Sequence, residues 1–80
     1  MKEVHIRYFA LLREQRGKEK EARKTESGTA GDLYDELQQL YGFSLDQERL
    51  WVAVNHEIVS WSHVLDDGDE VVFIPPVAGG

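Results

Sequence analysis

The sequence predicts an α+β domain in which one principal helix covers one face of a sheet. Three observations carry that reading. Apolar and polar side chains alternate over residues 4–9, a capped helical stripe occupies residues 29–42, and a closing apolar strand over residues 70–74 stops at Pro75. The order of elements is strand, strand, helix, strand, short strand, strand, in which the helix is segregated to one side of the sheet.

Val4-His5-Ile6-Arg7-Tyr8-Phe9 has the two-residue period of a half-buried strand. Leu11-Leu12-Arg13-Glu14 predicts one short helical turn ahead of Gly17. Residues 19–26 are nearly all charged around Ala22, a composition that suits a polar edge strand. Thr29 is placed to cap the main helix, with Asp32 three residues on in the manner of a capping box. Asp35 and Glu36 complement the positive end of the helix dipole. Leu33, Leu37, Leu40 and Tyr41 recur at i, i+4, i+7 and i+8 as one buried face, and Gly42 supplies a left-handed C-cap. After a loop over residues 43–49, Leu50-Trp51-Val52-Ala53-Val54 reads as a well-buried strand. Asn55-His56 turns it into a short partner, Glu57-Ile58-Val59. Asp66-Asp67-Gly68-Asp69 is a turn in which Gly68 supplies the positive φ. Glu70-Val71-Val72-Phe73-Ile74 is the last strand, ended by Pro75 because proline has no N–H for a ladder.

A single helix covers a single sheet face, yet the final strand is apolar on both. Val71 and Phe73 point one way, Val72 and Ile74 the other, and Phe9 opposes Ile6 and Tyr8 in the same manner. One set is core. The other, with Ile58, either lies under loops or forms an exposed apolar patch of the kind that marks a binding surface.

Bulk properties narrow the function classes. Eighty residues suffice for one domain of modest core, and a hydrophobic fraction of 41% with two tryptophans separates the chain from disordered sequences. Cysteine is missing, which excludes disulfides and thiolate metal sites and suits the cytoplasm. Neither a secretory apolar region nor a membrane span is expected. The net charge of −6 is uneven: residues 13–24 hold six basic and three acidic side chains, leaving −9 elsewhere. An acidic body argues against nucleic acid as a partner. The basic stretch, interleaved with glutamates and lacking aromatics, reads as a solvated hairpin region.

Other constellations are weak. His5, His56 and His63 lack metal-ligand spacing, and residues 66–70 lack the twelve-residue calcium loop. No glycine-rich loop joins a strand to a helix, so the chain is not expected to bind ATP itself. Ser60, Ser62 and His63 come without a nucleophile elbow.

The tail Pro75-Pro76-Val77-Ala78-Gly79-Gly80 is the feature that suggests chemistry. Its terminal carboxylate sits on two residues without side chains, and the six residues, extended, span roughly 18–20 Å. Such a tail can thread a narrow channel, with prolines lowering the entropy lost on ordering and glycines leaving no Cβ near the reacting carbon.

Tyr8-Phe9-Ala10-x-Leu12-Arg13-Glu14 with Gly17, the Thr29-capped helix, Ala53-Val54-Asn55, Leu65-x-Asp67-Gly68-Asp69-Glu70-Val71 and Pro75-Pro76-Val77-x-Gly79-Gly80 resemble the small sulfur-carrier subunits of molybdopterin synthase. The resemblance covers essentially the whole chain and implies a β-grasp, ubiquitin-like fold: a mixed sheet with one principal covering helix. It implies a single sulfur-carrier domain over residues 1–80, with 75–80 as the reactive tail. An E1-like enzyme would use ATP to adenylate the carboxyl of Gly80, and a persulfide sulfurtransferase would displace AMP to leave a thiocarboxylate. The charged tail would enter a large synthase subunit, in a heterotetramer, and give sulfur to cyclic pyranopterin monophosphate for molybdenum cofactor biosynthesis. In this scheme the chain is not catalytic alone and binds no cofactor or metal. Gly80 reacts, Gly79 gives access, Pro75, Pro76, Val77 and Ala78 occupy the partner's channel, and Phe9, Ile58 and Ile74 form the docking patch. Two alternatives share the tail: sulfur delivery for thiamine, cysteine or tRNA thiolation, and ubiquitin-like attachment to lysines.

Overall fold

Strands β1 (Lys2–Tyr8), β2 (Lys20–Thr25), β3 (Trp51–Val54), β4 (Glu57–Val59) and β5 (Glu70–Ile74) form one sheet in the order β2-β1-β5-β3-β4. The structure is a computed structural model that describes residues 1–75; it adds helices α1 (Ala10–Arg16) and α2 (Ala30–Tyr41) and a short 3-10 turn, Gln47–Arg49. β1 and β5 pair in parallel at the centre, while the other neighbours are antiparallel. Parallel pairing needs a crossover, and the chain between the two strands supplies one through α2. The arrangement is the mixed β-grasp sheet that the resemblance implied.

Alternation decides which side chains meet the helix. Val4, Ile6 and Tyr8 on β1 are fully buried, as are Val71 and Phe73 on β5, with Val52 and Val54 on β3 nearly so. Ala30, Leu33, Tyr34 and Leu37 of α2 join them in one core cluster. The Tyr34 ring lies 5.1 Å from Phe73, edge-on, and 6.0 Å from Phe43. Its buried hydroxyl donates to the Leu45 carbonyl, and burial pushes the phenol up to about 12. The predicted caps are present: Thr29 Oγ1 accepts the Asp32 N–H at 3.1 Å, and Gly42 adopts φ 69°.

Three expectations need correction. Leu40 is 55% exposed, and Tyr34 takes the core position instead. Ala30, Leu33, Tyr34 and Leu37 define the stripe, and helical geometry puts Leu40 roughly 70° from its middle. Trp51, expected inside a well-buried strand, is 65% exposed because alternation along β3 turns it away from Val52 and Val54. The single turn expected over residues 11–14 is a seven-residue helix, closed by Gly17 at φ 78° and anchored by buried Leu12.

β2 is the predicted polar edge strand, and its inward charges are paired. Glu21 accepts the Tyr8 hydroxyl at 2.6 Å and both arms of Arg16 at 3.0 and 3.1 Å. Glu36 on α2 accepts Arg23 at 2.6 Å, Thr25 at 2.7 Å and Ser27 at 2.8 Å. Burial opposes ionisation of both carboxylates, but these donors outweigh it, so both lie below the usual carboxylate range. Burial, with the bond to Glu21, pushes the Tyr8 phenol upward. Two carboxylates thereby fasten a strongly charged strand to both helices.

The acidic turn is occupied by backbone chemistry. Gly68 has φ 87°, and Asp69 accepts from Asn55 Nδ2 at 2.9 Å and from the Asp66 N–H at 2.8 Å. Asp67 accepts the Glu3 N–H at 2.7 Å, tying the turn to the start of β1.

Candidate functional site

β5 runs through the middle of the sheet, so the chain leaves it at the end of a central strand. Pro75 is buried, ends the ladder and roots the predicted tail. Pro76, Val77, Ala78, Gly79 and Gly80 lie outside the described residues. Around the root, register places Ile74 opposite Trp51 of β3, and Tyr8 opposite Phe73, so that Phe9 follows beside Ile74. Phe9 keeps extended backbone, φ −125° and ψ 154°, before Ala10 turns the chain at φ 49°. The Phe9 ring is thus left on the face away from α2, 39% exposed.

That open face carries the second apolar set. Trp51, Val72, Ile74 and Ile58 lie on it, with Ala53 between Val72 and Ile58 in register. Ile58 is 56% exposed, and Ile74 and Val72 are half-buried. A cleft of about 270 Å³ lined by Leu50, Trp51, Val52, Ile58, Val59 and Trp61 opens beside them. Apolar side chains left in water at this density favour a partner that covers them.

The structure thus places the expected docking residues Phe9, Ile58 and Ile74 on one face, near the tail root. It adds Trp51, the largest exposed side chain there, which the sequence reading assigned to the core. The signal was available: in Trp51-Val52-Ala53-Val54, Trp51 shares its side with Ala53, the register partner of Ile58.

His5, His56 and His63 are spread over β1, the β3–β4 turn and the loop before β5. Among the described residues no group of three or more His, Cys, Asp or Glu is able to hold a metal ion. Among them, too, no helix is long and apolar enough to cross a membrane.

Comparison with known proteins matches residues 6–80 to the ThiS family. The chain is 45% identical to the molybdopterin synthase sulfur carrier subunit of Mycobacterium tuberculosis, over 100% of both chains. Among solved structures it is similar to SAMP1 from Haloferax volcanii, with TM-score 0.80 and 25% identity over 98% of this chain and 99% of that one. It is also similar to a chain in the complex of subunits 1 and 2 of the molybdopterin-converting factor from Helicobacter pylori. There the TM-score is 0.69 and the identity 25%, covering 98% and 99% of the two chains.

Proposed function

The chain belongs to the ThiS family, and from that premise we propose that it carries sulfur as a thiocarboxylate on the terminal carboxyl of Gly80. The acceptor is cyclic pyranopterin monophosphate, bound by a large molybdopterin synthase subunit. One observation carries the reading: the match to a molybdopterin synthase sulfur carrier subunit runs the full length of both chains. The geometry supports it, since β5 brings Pro75 to the sheet end beside Phe9, Ile74 and Trp51.

The chemistry assigns separate tasks. A free carboxylate repels nucleophiles through charge and resonance, so an E1-like enzyme first joins it to AMP from ATP. The terminal sulfur of a persulfide sulfurtransferase then attacks the acyl carbon, AMP leaves, and a thiol cleaves the resulting acyl disulfide to free the thiocarboxylate. The carrier holds neither nucleotide nor metal; ATP belongs to the activating enzyme. Gly79 leaves no Cβ beside the reacting carbon, and Pro75, Pro76, Val77 and Ala78 occupy the partner's channel. Phe9, Ile58, Ile74 and Trp51 dock the large subunit, a partner class supported by the Helicobacter pylori complex of two subunits. The work is cytoplasmic, where the activating enzyme and ATP are found together.

The test is the intact mass of the protein after incubation with the E1-like enzyme, ATP and a sulfur source. Replacement of one oxygen by sulfur, located to Gly80 by fragmentation, is expected. An unchanged mass, with the enzyme active on another carrier, overturns the proposal.

A further inference from the structure

One register row crosses the whole open face: Lys20 on β2, Arg7 on β1, Val72 on β5, Ala53 on β3 and Ile58 on β4. Its character changes along the way, basic at the β2 side and apolar at the β4 side. The adjoining row is Ala22, His5 and Glu70. Ala22 is too small to fill its place, and a hollow of about 570 Å³ opens there, lined by His5, Arg7, Lys20, Ala22 and Glu70 together with Ile6 and Glu21.

Arg7 is the informative residue in this hollow. Its Nε is shielded from solvent and has no hydrogen-bond partner among the described residues. The guanidinium carbon lies 5.7 Å from the centre of the Phe9 ring, which fixes the group beside the tail root. Arg16 and Arg23 provide the comparison within the same molecule. Both are half-buried, and each donates Nε–H to a carboxylate, at 3.0 and 2.6 Å. A desolvated donor without an acceptor costs free energy, and the cost vanishes if Arg7 turns to meet an acceptor on binding.

We propose that the hollow receives an aspartate or glutamate side chain of the docking partner, which accepts from Arg7 while Lys20 supports it electrostatically. The inference rests on the reading that the open face docks the large synthase subunit, and it names the polar half of that contact. One feature favours a carboxylate over a nucleotide or phosphate, since the planar guanidinium fork suits either group. Glu70 on the opposite wall, 3.6 Å from His56 Nε2, repels a polyanion filling the hollow. A partner carboxylate would also fix the docking register, because an apolar patch alone specifies orientation weakly.

The experiment is calorimetric binding of the purified large synthase subunit to the full-length carrier at low and high salt. Arg7→Gln is expected to weaken binding about thirtyfold or more and to flatten its salt dependence. Arg7→Lys should recover part of the loss, keeping charge without the fork. Exposed Lys20→Gln should weaken binding severalfold at low salt, and it carries the test if Arg7→Gln does not fold. Arg7→Gln and Lys20→Gln both binding within twofold of wild type, with unchanged salt dependence, overturn the inference. If Trp51→Ala weakens binding in that case, the docking reading survives without the carboxylate site. If wild type binds no large subunit, both readings fall. Binding of ATP or inorganic phosphate that is lost in Arg7→Gln, with partner affinity unchanged, assigns the hollow to another anion and likewise overturns it.

Discussion

On the helix side of the sheet, Val4, Ile6, Tyr8, Val52, Val54, Val71 and Phe73 are buried in the core, whereas the opposite side of the same strands leaves Trp51 65% and Ile58 56% exposed. Both sides of β3 and β5 are apolar, so apolar content does not distinguish them. What differs is whether this chain itself supplies a cover. On one side α2 does so, with Tyr34 packed on Phe73 and its hydroxyl satisfied by the Leu45 carbonyl. On the other side no element of the described residues lies over Trp51, and Arg7 Nε waits without an acceptor. The closed face holds the fold together, and in the function proposed above the open face gains its free energy when a partner arrives.

The largest expected effect would break the closed face. Phe73→Ala removes a fully buried ring that touches Tyr34 and Trp61. It should cost about 3–5 kcal/mol in a urea melt, a large share of the stability of a domain this size. A loss under about 1 kcal/mol would mean that α2 is not packed on β5 as described.

An intermediate effect comes from the clamp that fastens the edge strand. Glu36→Gln weakens three hydrogen bonds to Arg23, Thr25 and Ser27, and should cost about 1.5–3 kcal/mol at neutral pH. It should also change the acid limb. The folded-state pKa of Glu36, like that of Glu21, is lowered from 4.5, so the unfolded chain binds more protons through this range. Their stabilisation is therefore full above the ordinary carboxylate range and is lost as pH falls through the lowered folded values. Melts against pH should show a shallower acid limb in Glu36→Gln than in wild type, and identical limbs would contradict the clamp.

The smallest effect on stability sharpens the comparison. Trp51→Ala, although it removes the larger ring, should change stability by about 0.5 kcal/mol or less while weakening attachment of the large subunit. If it destabilises the chain as much as Phe73→Ala does, the open face is part of the core and the contrast fails.

Some of this was legible in the residues and some was not, for physical reasons. The Thr29 cap, the Gly42 and Gly68 turns and the stop at Pro75 are local requirements of backbone geometry, so local sequence specified them. The polar edge strand followed from charge density over residues 19–26, but the clamps did not. Glu21 and Glu36 meet their partners across elements, and composition cannot show which charges face inward. A leucine stripe points Leu40 to the core, yet Tyr34, in phase with Ala30, Leu33 and Leu37, occupies that place. A run apolar on both sides, as around Trp51, does not say which side the helix will cover. The unsatisfied Arg7 belongs to the same class, since only the assembled sheet sets it beside Lys20, Val72 and Phe9.

The most direct measurement follows the sulfur itself. Purified carrier bearing the thiocarboxylate on Gly80 is mixed with the large synthase subunit and cyclic pyranopterin monophosphate, and both protein mass and pterin product are read with time. The carrier is expected to return to its carboxylate mass as sulfur appears in the pterin, and Trp51→Ala carrier, equally charged, to do so far more slowly. A carrier that keeps its sulfur in the presence of an active large subunit, or that appears instead in adducts on lysines, would contradict it.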